Sequence, residues 1–443
     1  MANPFSLLGR LAPSARSVSL RALLLTGDGM PVQQALSQSL RDPALPPSVK
    51  RQATDLVYSV LRADIRLDFV LRRLFPRADK LPALFLLAVK TAACALLFEE
   101  HAPAHAIVNG TVSDVRRLFG KGLDRVANGA LRSLQRMGSA PLSPDFYRLK
   151  GEADDFPALC RFYSLPEEAA RLWLVQEGRE TAIALMKKSF ARPCAGIRVN
   201  SSRPGWENLR KKLLGAGALP LPGAAGESAG VYVPEGGLGL SGRMDLTSLQ
   251  KDGALSFQQG ASLCVMAETG LLRHDAPIWD ACAGFGGKTT ALIEAGRVVA
   301  AASDCSFSRL RHLPAECARL GIGKPLLFLA DASCPPLAKA PGDVLLDVPC
   351  SGLGVLARRP DIRRRKQDFA AYSALQERIL AKAAALSGKG ASLFYMTCTV
   401  NREENEDVVR KAESEGLCRI EAEWKTPVDS PLEGMYGARL TVI

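Results

Sequence analysis

Hydrophobic residues recur at helical spacing through the first third of the chain and give way to short apolar runs between amphipathic segments in the last. Within 51–75 (RQATDLVYSVLRADIRLDFVLRRLF), Ala53, Leu56, Val57, Val60 and Leu61, then Leu67, Val70 and Leu71, fall on one helical face. The same period predicts helices over 84–98 and 107–119, and over 123–137 after a break at Gly120 and Gly122. Residues 1–140 therefore read as an all-α bundle. Residues 141–250 mix helical patterns at 166–175 and 179–188 with a strand at 195–199 and a Gly/Pro-rich stretch at 219–239, a small α+β connecting region. From 251 to 443 strand and helix alternate. Strands are expected at 278–282, 298–303, 326–330, 344–347 and 392–396, with helices at 289–294, 309–320, 372–386 and 403–415 between or after them. That order predicts an α/β, Rossmann-like parallel sheet with helices on both faces, whose ligands gather beyond the carboxyl ends of the strands.

Composition agrees with a multidomain globular chain and adds a partner. The 443 residues are 47% hydrophobic and 23% charged, which excludes extensive disorder. Lysine and arginine exceed acids by 57 to 45, and +9 of the net +12 lies in residues 1–140. Such a balance favours nucleic acid over a membrane surface. The longest apolar stretch, 81–98, is interrupted by Lys90 and reads as a buried helix, so no membrane partner is expected. The acid-free start with Arg10, Arg16 and Arg21 faintly resembles a transit peptide; without a cleavable hydrophobic core after it, a basic first helix is the better reading. Eleven cysteines without a CxxC pair, and four histidines (His101, His105, His274, His312) without HExxH, point to free thiols in a reducing cytoplasm and to no metal. We expect a monomer.

The first expected strand runs into Asp280-Ala-Cys-Ala-Gly-Phe-Gly-Gly-Lys-Thr-Thr290. A phosphate-cradling P-loop needs glycine six positions before Lys288, where Cys282 stands, and a GxGxxG fingerprint from Gly284 ends on Thr289 instead of glycine. A nucleoside cofactor without a pyrophosphate, such as S-adenosylmethionine, remains, beside the plainer reading of a tight packing turn. Asp304, 20 residues beyond Gly284, is set to accept ribose hydroxyls, and Asp331 to meet the adenine side. One such aspartate would read as a helix cap. Three successive strand ends carrying Asp280 with glycines, Asp304 and Asp331 favour the cofactor.

The next two strands lead into Asp347-Val-Pro-Cys350 and Met396-Thr-Cys398. Cys94, Cys160, Cys264, Cys317 and Cys418 read as inert buried thiols. Two thiols at neighbouring strand ends, one beside a carboxylate, suggest covalent chemistry. Carbon C5 of a pyrimidine is a poor nucleophile until a thiolate adds at C6, and an acid such as Asp347 at N3 stabilises the adduct.

The motifs DACAGFGGKT, SDCSFSRL, DVPCSGLG and TCTVNREEN, within 255–443, resemble those of the cytosine-C5 RNA methyltransferases of the Nol/Nop/Sun family. The resemblance implies a class I methyltransferase domain in which Cys398 is the nucleophile and Cys350 promotes product release. It also implies that Cys282, Ala283, Gly284, Phe285, Gly286, Gly287 and Lys288, with Asp304, Asp331 and Asp347, hold S-adenosylmethionine, and that Arg309 supports the pocket. The stretch HAPAHAIVNGTVSDVRRLFGKGLDRVANGALRSL, with 51–75 before it, is similar to the NusB-like RNA-binding domain fused to the bacterial 16S ribosomal RNA member, which implies that substrate. Residues around YSLPEEAARLWLVQEG and GIRVN resemble that member's RNA-contacting region. The chain departs from the family at Gly284-Phe285, commonly Ala-Pro, at Thr399, commonly Ser, and at Gln259, commonly an acid.

After Cys350 come Arg358, Arg359, Arg363, Arg364, Arg365 and Lys366, six cations in nine positions. Alone this is a solvated charge run; beside a thiol site it is expected to clamp RNA phosphates. The target cytosine must be unstacked to meet a thiol, so an open RNA segment is the expected substrate. The rival readings are a non-catalytic RNA-binding ribosome-assembly factor and a P-loop NTPase; the paired cysteines with the pocket aspartates argue against the first, Cys282 against the second.

Overall fold

The computed structural model describes residues 3–99, 103–234, 240 and 244–443. His101 and the 235–239 end of the Gly/Pro-rich stretch lie outside the described residues. Contacts divide the chain into two compact units, 1–190 with 359–365, and 191–358 with 366–443.

The first unit is helical. Helices Ala15–Gly27, Val32–Ser39, Pro47–Arg62, Asp64–Leu74, Ala83–Phe98, Ala104–Phe119 and Leu123–Arg136 enclose a core that includes Leu20, Val57, Leu67, Phe85, Val108 and Leu131. The basic amino-terminal segment thus contributes a packed helix. The single pattern expected over 51–75 breaks at Ala63, which starts a new helix at Asp64. That break turns Asp64 inward to meet Lys90, the lysine interrupting the apolar run, which also bonds Asp68 at 2.6 Å. Among the described residues no helix is long and apolar enough to cross a membrane.

The expected boundaries at 140 and 250 need correction. Helices Phe156–Phe162, Glu167–Glu177 and Arg179–Phe190 cluster with the bundle, not with a connecting region. Conversely Leu255–Phe257 completes a sheet begun before 250. Strands β1 (Ala195–Val199), β2 (Leu219–Pro220), β3 (Gly230–Val233) and β4 (Leu255–Phe257) form an antiparallel sheet in the order β2-β3-β1-β4.

The second sheet of this unit contains β5 (Ile278–Asp280), β6 (Val299–Asp304), β7 (Leu326–Leu329), β8 (Asp343–Asp347), β9 (Ser392–Thr397), β10 (Cys418–Lys425) and β11 (Tyr436–Val442), in the order β10-β11-β9-β8-β5-β6-β7. Its five parallel strands are those the sequence pattern predicts, within a residue or two at each end. The antiparallel pair β10–β11 was not anticipated: β10 exposes alternate charged side chains and lacks an apolar run. The helix expected over 309–320 is two pieces, Phe307–Leu310 and Leu313–Leu320, the second opening with Pro314 in its first turn. Strand order reverses between β5 and β8, a topological switch point that opens a crevice at the strand ends.

Candidate active site

The loop after β5 is shaped by two left-handed glycines, Gly284 (φ 57°) and Gly286 (φ 86°). At Gly286 a Cβ would also lie 2.3 Å from the Leu313 side chain, so this turn admits only glycine. The Gly284 N–H donates to Asp304 Oδ2 at 2.8 Å, the Ser306 N–H donates to Oδ1 at 2.8 Å, and the Arg309 guanidinium lies 3.0 Å from Oδ1. Asp304, Gly284 and Arg309 therefore meet as one cluster. The Ala283 N–H donates to the Ser303 carbonyl at 2.9 Å, tying the loop to β6. Asp331, exposed beyond β7, accepts from the Ser333 N–H and hydroxyl at 2.8 Å each, which hold its carboxyl below the usual range. Burial pushes the Cys282 thiol well up, leaving it protonated.

On the other side of the switch point Lys288 Nζ donates to Asp347 Oδ2 at 2.6 Å. Burial opposes the Lys288 charge, but Asp347 outweighs it and the ammonium is retained. Parallel pairing of Asp347 with Met396 brings the segments that follow β8 and β9 together, and the sulfurs of Cys350 and Cys398 lie 3.3 Å apart. Their hydrogen bond favours the Cys398 thiolate, with help from Lys288, and lowers that thiol against the opposing effects of burial and Asp347; it raises Cys350.

A buried polar frame holds both cysteine segments. The Ser351 N–H donates to Glu404 Oε2 at 2.8 Å, Asn401 Nδ2 to Oε1 at 2.9 Å, and Gln376 Nε2 to Oε2 at 3.2 Å. Gln376 also donates to the Pro349 carbonyl, and Asn405 accepts from Thr397 and donates to the Thr399 carbonyl. The donor set suits a nucleoside: carboxylates Asp304 and Asp331 for hydroxyl and amine groups, and an accessible glycine turn. Among the described residues no cluster could hold a metal ion.

Comparison with known proteins fits this geometry. A family model described as 16S rRNA methyltransferase RsmB/F matches residues 271–426, and a NusB family model matches 13–136. The probable ribosomal RNA small subunit methyltransferase B of Synechocystis sp. is 30% identical over 392 residues, covering 85% of this chain and 83% of the relative. The Bacillus subtilis protein of the same description is 27% identical over 410 residues, covering 89% and 87%. The chain belongs to the 16S rRNA methyltransferase RsmB/F family. Among solved structures, PH0851 superposes with a TM-score of 0.74 at 19% identity over 97% of this chain and 99% of that one. NSun6 from Pyrococcus horikoshii with SFG gives 0.53 at 22% over 62% and 98%. These two show the shared fold.

In this RsmB/F methyltransferase the expected phosphate clamp is only partly available. Arg363 is 3% exposed, and its guanidinium donates to the carbonyls of Tyr163, Ser164 and Ser189 at 3.4, 2.8 and 2.6 Å. Arg364 pairs with Asp64, and Arg359 and Arg365 with Asp361. Arg358 bonds Glu433 and the Cys194 carbonyl. Lys366 is exposed. Asp361 lies within the run, but a charge run read from sequence cannot reveal the partners of Arg358, Arg363 and Arg364, which are distant in the chain.

Sequence reasoning also missed Arg198. This buried β1 residue makes a bidentate pair with Glu294 (2.8 and 2.9 Å), donates to the Gly287 carbonyl at 2.8 Å and to Thr290, and bonds Gln258. It fixes the helix Gly287–Glu294 that carries Lys288. Phe285, in the expected cofactor loop, is exposed against His312.

Proposed function

We propose that this protein methylates C5 of cytosine in 16S ribosomal RNA through a covalent Cys398–C6 adduct. It is a ribosomal RNA methyltransferase that uses S-adenosylmethionine, which supplies an electrophilic methyl group when bound. Cys282–Lys288, Asp304, Arg309, Asp331 and Asp347 would hold that cofactor. The Cys398 thiolate adds to C6, and the displaced electron pair makes C5 nucleophilic while the Lys288–Asp347 pair supplies a proton towards N3. After C5 is methylated its proton passes to solvent water, the C–H electron pair re-forms the C5–C6 double bond as the sulfur–C6 bond breaks, N3 returns its proton to the Lys288–Asp347 pair, and the Cys350 S–H stabilises the departing thiolate. The helical unit, matched by the NusB family, would bind the RNA, and Lys366 of the second unit would add a phosphate contact. We read the protein as a monomer of the cytoplasm, a compartment that keeps its thiols reduced.

The observation that carries this reading is the 3.3 Å sulfur pair beside Lys288 and Asp347. Labelled methyl transfer to a 16S ribosomal RNA transcript, followed by bisulfite sequencing, tests it. Cys398→Ala is expected to abolish transfer while retaining RNA binding; full activity would remove its nucleophile role. Cys350→Ala is expected to accumulate an enzyme–RNA adduct stable to denaturation, and lost activity without adduct would overturn the release role.

A further inference from the structure

A cavity of about 460 Å³ opens beside the glycine turn, and apart from Phe285 and Gly287 of that turn its lining has no part in the chemistry assigned above. Phe257 and Phe285 line it with 45% and 63% of their surfaces exposed, together with the exposed His312. The Phe285 and His312 ring centroids are 5.6 Å apart and tilted by 43°. Isolated exposed phenylalanines are ordinary, but three rings on one cavity form a cluster.

Arg198 and Arg319 also line the cavity, yet neither is available to grip a phosphate. Arg198 is engaged by Glu294, Thr290, Gln258 and the Gly287 carbonyl. Arg319 is engaged by Glu316, Ser256 and the carbonyls of Gln250 and Leu255. What the cavity still offers is ring faces beside the partly exposed, charge-paired Arg319 guanidinium, Arg198 being buried. Those surfaces suit an unstacked nucleobase, which binds by stacking on aromatic or guanidinium planes. Gly287 lines the cavity, and the adjacent Lys288 reaches Asp347 in the thiol site.

We propose that this cavity is a stacking subsite for a second, splayed-out base of the substrate RNA, close to the target cytosine. The proposal rests on the RNA methyltransferase reading. It makes Phe257 and His312 contributors to RNA affinity with no part in methyl transfer.

The test uses the full chain, a protein-free 16S ribosomal RNA transcript and S-adenosylmethionine. Phe257→Ala and His312→Ala should raise the RNA dissociation constant and the RNA KM, by about five- to a hundred-fold for loss of one base stack. Cofactor affinity and kcat at saturating RNA should stay within about twofold, against the smallest loss a base stack would give. Phe257→Trp should keep RNA affinity and show tryptophan quenching by RNA beyond that of the unsubstituted protein. Unchanged RNA affinity in both alanine variants would overturn the subsite, as would loss of cofactor binding with RNA binding intact. If Phe257→Ala does not fold, absence of quenching in Phe257→Trp overturns it. An unsubstituted protein that binds RNA but transfers no methyl group would instead sink the enzymatic reading, with quenching still deciding the cavity.

Discussion

The Cys350 sulfur lies 3.3 Å from the Cys398 sulfur and stabilises negative charge on it. Two thiols of the same ordinary acidity are thereby shifted in opposite directions, Cys398 down and Cys350 up. That direction agrees with the attack by Cys398 proposed above.

Removing Cys350 should make Cys398 a weaker acid. In Cys350→Ala the pH profile for alkylation of Cys398 by iodoacetamide, followed by peptide mass analysis, should move to higher pH than in the unsubstituted protein. A profile that stays in place would mean that Lys288, not Cys350, sets the thiolate.

Gly354 controls where that sulfur is held. Its N–H donates to the Cys398 carbonyl at 3.1 Å and its own carbonyl accepts from the Gly434 N–H at 2.9 Å. A Cβ at 354 would sit 2.0 Å from the Gly434 oxygen and 2.9 Å from the Cys398 oxygen, so Gly354→Ala must displace the cysteine backbone. We expect kcat to fall by about a hundredfold, the cost of ångström-scale misplacement of a reacting group. Cofactor affinity measured by calorimetry should be retained.

The parallel sheet and the gathering of residues at its strand ends were legible because apolar runs, glycine turns and lone carboxylates are local signals. Asp304 and Gly284 illustrate this: their 20-residue spacing in sequence is a 2.8 Å hydrogen bond in the fold. The frame under the cysteines was not legible. Glu404 and Asn405 lie inside a quoted motif, but only the fold shows Glu404 buried under Ser351 and Gln376, whose partners are 53 and 28 residues away. Arg198 lies in the GIRVN stretch likened to an RNA-contacting region, and its buried pairing carries no local signal, since its carboxylate partner is 96 residues distant. Within the run 358–366 the burial of Arg363 was hidden for the same reason, its carbonyl partners lying 174 to 200 residues away, while Arg364 and Arg365 are exposed.

Arg198→Met should be costly despite preserving side-chain length. It leaves Glu294, 5% exposed, without its bidentate partner, and a buried carboxylate stripped of its partner typically costs about 3–5 kcal/mol. Chemical denaturation should show that loss, and Arg198→Met with Glu294→Gln should recover part of it. Additive losses would mean that the two residues do not act as a pair.

Asp280 gives the catalytic sheet an unusual pH response. Burial pushes its carboxyl up to about 7, against the Thr289 hydroxyl that donates to Oδ2 at 2.6 Å, while Oδ1 has no partner among the described residues. Because the folded value is raised, the unfolded chain releases this proton first as pH rises, so stability falls between about pH 4 and 7. The full effect is on the order of 4 kcal/mol at one pKa unit per 1.4 kcal/mol. Asp280→Asn should flatten that part of the stability–pH curve. Parallel curves for the two proteins would show that Asp280 ionises normally in the fold.

The cation run divides into a structural and an electrostatic part, and salt dependence separates them. Arg363 is held by three carbonyls within the helical unit, and burial together with Arg62 lowers its guanidinium to about 9. Arg363→Gln should therefore lower the melting temperature, while the slope of log RNA affinity against log salt stays where it was. Lys366→Gln, at an exposed position, should leave melting unchanged and reduce that slope by about 0.7, the value for one lost phosphate contact on a single strand. If Lys366→Gln leaves the slope intact as well, phosphate contact belongs to other cations of this basic chain, and the run after Cys350 serves the fold alone.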